Sequence, residues 1–332
     1  MRRPLRVLVG SPKPPVDGNP YLSQLTDELR ERCEVRYFSW KNALIWRYDV
    51  LHLHWPETLF RGGSALKSIV KSGLALLLTV RLVIRRTAVV QTVHNSRPHE
   101  PSNAMERRGL ARLRRCTTAE IHLVPMVGSD PSQQISRVIP HGHYRSAYAS
   151  IEALGRPTGK VLFFGRIRPY KGVEGLLRAF ETVQEPGLEL EIAGEPIDES
   201  LRHRITELAT RNRRVSLDLT RLSNRDLEMA LERSTLVVLP FEEFLNSGSA
   251  LLALSLGRPV LMPSSPAADL LRGECGAAWV HTFENALEAS DIEQAYRAVV
   301  ASLPLELPVF EGREWDDIAD RHVSIYEAVS GA

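Results

Sequence analysis

The sequence is poor in cysteine and has no apolar run of membrane-spanning length. It has three cysteines in 332 residues, Cys33, Cys116 and Cys275, which form neither a Cys-x-x-Cys pair nor an even set. This pattern favours a reducing compartment and argues against a structural zinc site. The apolar segment 72–80 is bounded by cations and is far shorter than the roughly 20 residues that cross a bilayer.

Signal-peptide character, internal repeats and low-complexity tracts are also missing. The amino-terminal residues lead directly into a short strand at Val7–Val9 without an apolar leader core, so we expect no secretory signal. Hydrophobic residues make up 43% and charged residues 25%, as in a soluble globular protein. The length suits two domains better than one.

Charge is distributed unevenly between the two halves. Residues 1–150 contain 23 Lys and Arg against 11 Asp and Glu, and the remaining residues contain 19 against 29. A basic half of this kind predicts a polyanionic partner, either nucleic acid or an anionic membrane.

Apolar runs alternate with amphipathic helical stretches along the whole chain, which predicts parallel sheets built from βαβ units. The predicted strands are 5–9, 34–38, 50–54, 88–92, 120–123, 137–139, 161–164, 189–193, 215–217, 236–239, 259–262 and 278–280. We therefore predict an α/β protein with two doubly wound, Rossmann-like domains facing a cleft. The expected domains are 1–150 and 151–312, with a helix over 313–332 that packs back on the first domain.

Two basic segments lie in the first domain. Residues 66–86 alternate apolar side chains with cations and contain no acidic residue, and a second cluster of arginines spans 107–115. The first segment suits either a membrane interface or an ordinary half-buried helix. No nucleic-acid-binding motif accompanies the charge, so a membrane surface is the favoured partner and nucleic acid is not expected.

The segment 160–172 carries the clearest chemical signal. A buried strand is followed by Gly165, Arg166 and Lys171, and then by a helix that begins at Val173. Ligands of open α/β sheets bind beyond the carboxyl ends of the strands, and a helix start there favours an anion. Arg166 and Lys171 would add two positive charges, which predicts a diphosphate site.

A second strand-to-helix connection has similar chemistry. The strand at 236–239 is followed by a polar loop and by Asn246, Ser247, Gly248 and Ser249, which open an apolar helix. Hydroxyl groups and free N–H groups at such a start can hold phosphate oxygens.

The order of elements and the motif Gly165-Arg166-x4-Lys171-Gly172 resemble those of the GT-B glycosyltransferases, especially the GT4 type. The resemblance covers nearly the whole chain and implies that Arg166 and Lys171 bind the donor diphosphate. One departure concerns that family's paired glutamates, whose positions fall on Phe244 and Leu252. Glu242 and Glu243 lie nearby, and the retaining stereochemistry of the GT4 type is therefore not implied.

Three further segments, 49–57, 92–100 and 138–144, are similar to those of bacterial exopolysaccharide β-mannosyltransferases of the GumI type. That resemblance implies a GDP-mannose donor, a lipid-linked acceptor and inversion at the anomeric carbon. The alternatives are a retaining transferase that uses a UDP-sugar and a non-catalytic protein that binds a sugar nucleotide. For the favoured function we expect a cytoplasmic protein that is peripherally attached to the inner face of the plasma membrane.

An inverting transfer needs a general base for the acceptor hydroxyl. Glu57 and Asp17 are the first candidates, and His94 follows a strand end where it can touch the donor sugar or its leaving phosphate. On the acceptor side we place four residues, which are Gly18, Asn19, His99 and Glu100, and the last of these is a further candidate base.

Two remaining expectations concern the donor site. His141 is placed near the crossover between the domains, and Leu222 lies in a loop suited to backbone contact with the base. The spacing of His141 and His143 would suit a metal, but no third ligand stands out. We therefore expect no metal and no other cofactor.

Overall fold

The computed structural model describes residues 3–15, 18–94, 103–125, 135–148, 158–241, 248–302 and 306–331. The backbone separates into two compact units. The first comprises Met1–Gly142 with Gly312–Ala332, and the second comprises His143–Glu311.

The first unit contains a parallel six-stranded sheet. Its strands are β1 (Arg6–Val9), β2 (Glu34–Tyr37), β3 (Val50–Leu53), β4 (Ala88–Val93), β5 (Ala119–His122) and β6 (Ile135–Val138). They lie in the order β2-β1-β3-β4-β5-β6. The helices of this unit are α1 (Tyr21–Arg30), α2 (Trp40–Ile45), α3 (Ala65–Arg85), α4 (Ala104–Arg114) and the C-terminal α11 (Trp315–Ser330).

Helices cover both faces of this sheet because its strands are apolar on both sides. Val7, Val9 and Val50 pack in one core with side chains of α1 and α11. Leu8 and Leu51 point the other way, into a core formed with α2, α3 and α4. The prediction that the C-terminal helix packs on the first domain is thereby confirmed.

Helix α3 combines a narrow buried face with a wide exposed one. Ala75, Leu78 and Leu82 are its buried residues. In the described parts of the chain, no helix is both long and apolar enough to cross a membrane.

The second unit repeats the architecture. Its strands are β7 (Lys160–Phe164), β8 (Glu189–Ala193), β9 (Val215–Asp218), β10 (Leu236–Val238), β11 (Val260–Pro263) and β12 (Val280–Phe283). The order is β12-β11-β10-β7-β8-β9, with every pair parallel. The helices are α5 (Val173–Glu181), α6 (Glu199–Ala209), α7 (Asn224–Glu232), α8 (Gly248–Ser255), α9 (Pro266–Cys275) and α10 (Ala289–Ala301).

All twelve predicted strands are present in the two sheets, and one is displaced. The prediction placed the last strand at 278–280, whereas β12 begins at Val280. Gly276 adopts a φ of +95°, and its carbonyl accepts a hydrogen bond from the N–H of Trp279 at 3.1 Å. This turn occupies the residues that the apolar pattern had assigned to the strand.

Candidate active site

The second unit has its topological switch point between β7 and β10. The chain runs outward from β7 to β8 and β9, and then returns to place β10 on the other side of β7. Ligands of doubly wound sheets bind beyond the carboxyl ends of the strands at such a point. The two segments that the sequence selected for diphosphate binding follow these two strands.

Two glycines allow the connections after these strands to pack closely. Gly165 has a φ of +109°, and Gly172, between a 3₁₀ turn and α5, has a φ of +68°. A Cβ atom on Gly172 would lie 2.1 Å from the carbonyl oxygen of Pro240, just after β10. Only glycine tolerates both the left-handed backbone and this approach.

Lys171 lies over an aromatic ring in this region. Its Nζ atom is 3.6 Å from the centroid of the Phe241 ring, and burial together with the nearby Arg168 lowers its pKa to about 8. The Arg166 side chain, in contrast, is exposed. Lys171 is therefore largely protonated at neutral pH yet poorly solvated, which suits it to a strong interaction with an anion.

The start of α8 lies beside the turn after β7. A Cβ atom on Gly165 would be 3.7 Å from the hydroxyl oxygen of Ser249, and one on Gly248 would be 3.1 Å from the hydroxyl oxygen of Tyr144. Two glycines, the hydroxyl groups of Ser249 and Tyr144, and the N-terminus of α8 thus lie close to the turn after β7. Asn246 and Ser247, which the sequence also assigned to the site, lie outside the described residues.

The positions that carry glutamates in GT4 enzymes are occupied differently. Leu252 is buried in the core of the second unit, whereas Phe244, Glu242 and Glu243 lie outside the described residues. Leu222 precedes α7 and packs partly against the same core.

The first unit has its switch point between β1 and β3. The loop after β1 contains Gly18, whose N–H donates to the carbonyl of Pro15 at 3.0 Å, and Asn19, whose Oδ1 accepts from the N–H of Tyr21 at 3.0 Å. Asp17, in the same loop, lies outside the described residues, as do His99 and Glu100.

Glu57 lies just beyond the carboxyl end of β3. It belongs to a 3₁₀ helix, Pro56–Leu59, and its side chain is half-buried. Its carboxylate makes no hydrogen bond or ion pair to another described residue.

Histidines form a buried cluster on the sheet face covered by α1 and α11. Nδ1 of His52 lies 2.7 Å from the hydroxyl of Tyr326, and its Nε2 lies 2.8 Å from the hydroxyl of Thr92. Nδ1 of His54 lies 3.1 Å from Nε2 of His94. The cluster thus joins the ends of β3 and β4 to the C-terminal helix.

Burial keeps these histidines neutral. It lowers the pKa of His52 and His54 well below the ordinary value. The pKa of His94 is lowered to about 3, and those of His141 and His322 to about 4. A neutral imidazole of such low basicity is a hydrogen-bonding group and is poorly suited to act as general base at neutral pH.

His94 is held on three sides. Its ring stacks on Trp55 at a centroid distance of 4.5 Å and meets the edge of Tyr21 at 5.2 Å. Its Nε2 lies 3.1 Å from Nδ1 of His54. These contacts fix the imidazole just beyond the end of β4.

His141, which the sequence assigned to the donor site, belongs to the first unit. Its ring centroid lies 4.5 Å from that of Tyr21, and its carbonyl accepts a hydrogen bond from Arg313 at 2.8 Å. His143 belongs to the second unit, where its Nδ1 accepts from the N–H of Arg145 at 3.3 Å. The described residues contain no group of three or more His, Cys, Asp or Glu side chains placed to hold a metal ion. The expectation that no metal is required stays a prediction.

Most members of the histidine cluster were not predicted from the sequence. His52 and His54 alternate in and just after β3, as Thr92 and His94 do in and just after β4, which places all four side chains on one sheet face. This alternation in the sequence indicates that the four side chains share a face. The contribution of His322 and Tyr326 required knowledge of how α11 packs.

Comparisons with known proteins bear on this site. A family model described as "Glycosyl transferases group 1" matches residues 158–301. Two proteins of Xanthomonas campestris, each named GDP-mannose:glycolipid 4-beta-D-mannosyltransferase, are 37% identical to this chain over 322 residues. The matches cover 97% of this chain and 92% of each relative.

Solved structures are similar across both units. An Anabaena protein, HepE in complex with UDP and glucose, matches with a TM-score of 0.61 and 15% identity over 98% of both chains. Sucrose-phosphate synthase of Thermosynechococcus elongatus matches with a TM-score of 0.59 and 14% identity over 99% of this chain and 96% of that one. At these identities the likeness shows the fold.

Proposed function

We propose that this chain, which belongs to the GT-B glycosyltransferase family of the Xanthomonas campestris mannosyltransferases, transfers mannose from GDP-mannose to a glycolipid. The observation that carries the proposal is the 37% identity to those enzymes over 97% of the chain. The paired connections after β7 and β10, with Lys171 and Ser249, support it by supplying a place for a diphosphate.

The proposed reaction is an inverting transfer. The acceptor hydroxyl attacks the anomeric carbon of mannose, the bond from that carbon to the phosphate oxygen breaks, and GDP leaves with the bonding electron pair. Glu57 takes the proton of the attacking hydroxyl. Its position beyond β3 and its carboxylate without an ion pair among the described residues support this role.

Charge that develops on the leaving diphosphate is stabilised in the second unit. Lys171, Arg166 and the hydroxyl and N–H groups at the start of α8 supply the positive potential. Fixed donors aimed at developing charge commonly make the largest contribution to catalysis. His94 contributes a neutral hydrogen bond to the donor sugar or phosphate.

We also propose that the protein is cytoplasmic and attaches peripherally to the membrane through its first unit. Helix α3 exposes an apolar surface, called here the α3 stripe, composed of Leu66, Ile69, Val70, Leu76, Leu77, Val80, Val83 and Ile84. Exposed cations of α3 and α4 accompany it, namely Lys67, Arg85, Arg108, Arg112 and Arg114. This combination suits an anionic lipid surface better than nucleic acid, which would leave the stripe uncovered.

Two cations of the basic segment 66–86 have a structural role instead. Nζ of Lys71 donates to the carbonyl of Arg61 at 2.6 Å, and the Arg81 guanidinium donates to the carbonyl of Trp46 at 2.6 Å. Both side chains fix α3 to neighbouring segments.

The test combines nucleotide binding with product analysis. A ligand at 100 times its dissociation constant stabilises a protein by about 2.7 kcal/mol, so melting curves with GDP, UDP, ADP and dTDP and with their sugars identify the donor. We expect selectivity for GDP and GDP-mannose, and a β-linked product by NMR. UDP selectivity with an α-linked product would favour the retaining alternative, and binding without turnover would favour the non-catalytic one.

The Glu57→Gln variant tests the general base. We expect GDP to stabilise it as it does the wild type, while kcat falls by roughly 10²–10⁴-fold, the usual contribution of general base catalysis. Unchanged kcat in this variant would exclude Glu57 from the role.

A further inference from the structure

Helices α3 and α4 enclose an apolar groove on the first unit. Its volume is about 290 Å³, close to the lower end for ligand pockets, and the lining includes Ile69, Gly73 and Leu76 of α3 with Met105 and Arg112 of α4. The spacing of these residues along each helix places them on one face of that helix. We refer to this feature as the α3–α4 groove.

The glycines of the groove differ in what they contact. A Cβ atom on Gly109 would lie 2.2 Å from the ring of Phe60, so packing accounts for that glycine. A Cβ atom on Gly73 would meet nothing within 4 Å, although glycine inside a helix is unfavourable relative to alanine. The missing side chain of Gly73 leaves the groove open.

The groove lies close in sequence and structure to the proposed base. Phe60, which lines it, directly follows the 3₁₀ helix that carries Glu57. That short helix leads from His54, on one face of the sheet, to Leu59 and Phe60 in the core of the other face. A chain held in the groove would therefore be tethered near the carboxyl end of β3.

Charge and polarity favour an anionic lipid as the occupant. Arg112 is exposed and lines the groove. The α3 stripe shares Ile69 and Leu76 with the lining, so the groove opens within the surface proposed to face lipid. Helix α3 itself contains no acidic residue.

We infer that the α3–α4 groove binds the hydrocarbon chain of the acceptor glycolipid, with Arg112 beside its anionic head group. The inference rests on the proposed function, because the acceptor is taken to be a glycolipid. It assigns the groove to the acceptor rather than to bulk membrane lipid, since the groove adjoins the segment that carries Glu57.

Equilibrium binding tests the groove without requiring turnover. The probes are glucosyl alkyl diphosphates with butyl, octyl and dodecyl chains, titrated calorimetrically below their micelle-forming concentrations. Wild-type affinity should rise by up to roughly fourfold for each methylene that enters the groove. An affinity that is independent of chain length would overturn the inference.

Gly73→Leu should fill the groove while favouring the helix. We expect its affinity for the dodecyl probe to fall by roughly tenfold or more, equivalent to burying two or three methylenes fewer, with little change for the butyl probe. The matched control is Gly273→Leu in α9, where an added Cβ also meets nothing within 4 Å. Ser72→Leu, in the same lining, provides a second filling variant should Gly73→Leu fold poorly.

The remaining outcomes distinguish an acceptor-binding groove from a groove that holds bulk lipid or nothing. If Gly73→Leu weakens flotation with acceptor-free anionic vesicles but keeps the chain-length dependence, the groove holds bulk lipid and the inference is wrong. If mannose is transferred but the filling variants change neither binding nor KM, the groove fails and the proposed function stands. If no transfer occurs while the chain-length dependence is lost on filling, the groove stands and the proposed function fails.

Discussion

The hydroxyl of Tyr326 lies 2.7 Å from Nδ1 of His52, and this bond joins the C-terminal helix to the centre of the first sheet. The other nitrogen of the same imidazole meets Thr92 at 2.8 Å. Both ring nitrogens of a fully buried histidine are thus satisfied, although 274 residues separate the tyrosine from the histidine. The last helix therefore packs against the sheet face that carries the histidine cluster.

Removing this hydroxyl should destabilise the fold. In Tyr326→Phe, Nδ1 of His52 loses its partner in a buried environment, which costs about 1–3 kcal/mol. Urea unfolding at neutral pH measures the change. Tyr296→Phe, at a partly exposed tyrosine of α10, is the control and should change stability little. Equal stability of the two variants would contradict the role given to the bond.

Acid should destabilise the protein before its carboxylates titrate. The ordinary histidine pKa is 6.5, whereas His322 and His141 have a pKa of about 4 in the folded state. Below pH 6.5 the unfolded chain therefore binds more protons than the folded one, and stability falls until the folded pKa is reached. Each such histidine lowers the free energy of unfolding by up to about 1.4 kcal/mol for every unit by which the pH falls in this range.

The His322→Asn variant isolates one of these contributions. The asparagine amide can still donate to the carbonyl of Ile318, which Nδ1 of His322 meets at 2.7 Å, but it cannot titrate. The fall in unfolding free energy between about pH 6.5 and pH 5 should be shallower by up to about 1.4 kcal/mol per pH unit. A wild-type urea midpoint that does not change over this range would be incompatible with neutral buried histidines.

Lys171 should control both donor binding and catalysis. Lys171→Ala should lower kcat/KM. The expected loss of transition-state stabilisation is about 2–4 kcal/mol, by analogy with the loss of one oxyanion donor. In the wild type, affinity for GDP should decrease as the pH rises through about 8, because the lysine then loses its proton. The alanine variant should bind weakly without that pH dependence.

The control for Lys171 is a lysine at the opposite end of β7. Lys160 begins that strand and pairs with Glu189 at 3.9 Å, so Lys160→Ala should retain both the affinity for GDP and its pH dependence. The same loss in both variants would indicate a general effect of charge.

Substitution of the α3 stripe should abolish membrane attachment. The double variant Leu77→Glu with Ile84→Glu places two negative charges at positions where the wild-type residues are 57% and 72% exposed. Because neither residue is buried, folding should be preserved. We expect the wild type to float with anionic vesicles and the double variant to lose at least roughly tenfold in partitioning, through lost apolar burial and charge repulsion. Met229→Glu, on an exposed residue of the second unit, should float normally. If the double variant loses self-association and keeps its lipid binding, the α3 stripe is a protein interface.

Local pattern was sufficient for the architecture. Alternation of strands and helices predicted two α/β domains, and the comparisons confirm a GT-B glycosyltransferase. Gly165, Lys171 and Gly248 could be associated with a diphosphate because each follows a strand end, a position that hydrophobic periodicity reveals. The displaced start of β12 shows the limit of that signal, since the turn at Gly276 interrupts an apolar run.

Other features arise from contacts between distant segments. Nothing in the order of residues shows that Lys171 lies on the ring of Phe241, or that burial lowers its pKa. The α3–α4 groove likewise depends on how Phe60 packs under Gly109, while the apolar composition of α3 alone suited either a core helix or a membrane surface.

The sequence by itself determined the elements and the parallel pairing of the strands, because these depend on neighbouring residues and on the two structural periods. Tertiary structure alone decided the burial of the histidines, the partner of His52 and the exposed face of α3. Desolvation and hydrogen bonding act through space, and the partners of His52 lie 40 and 274 positions away in the chain.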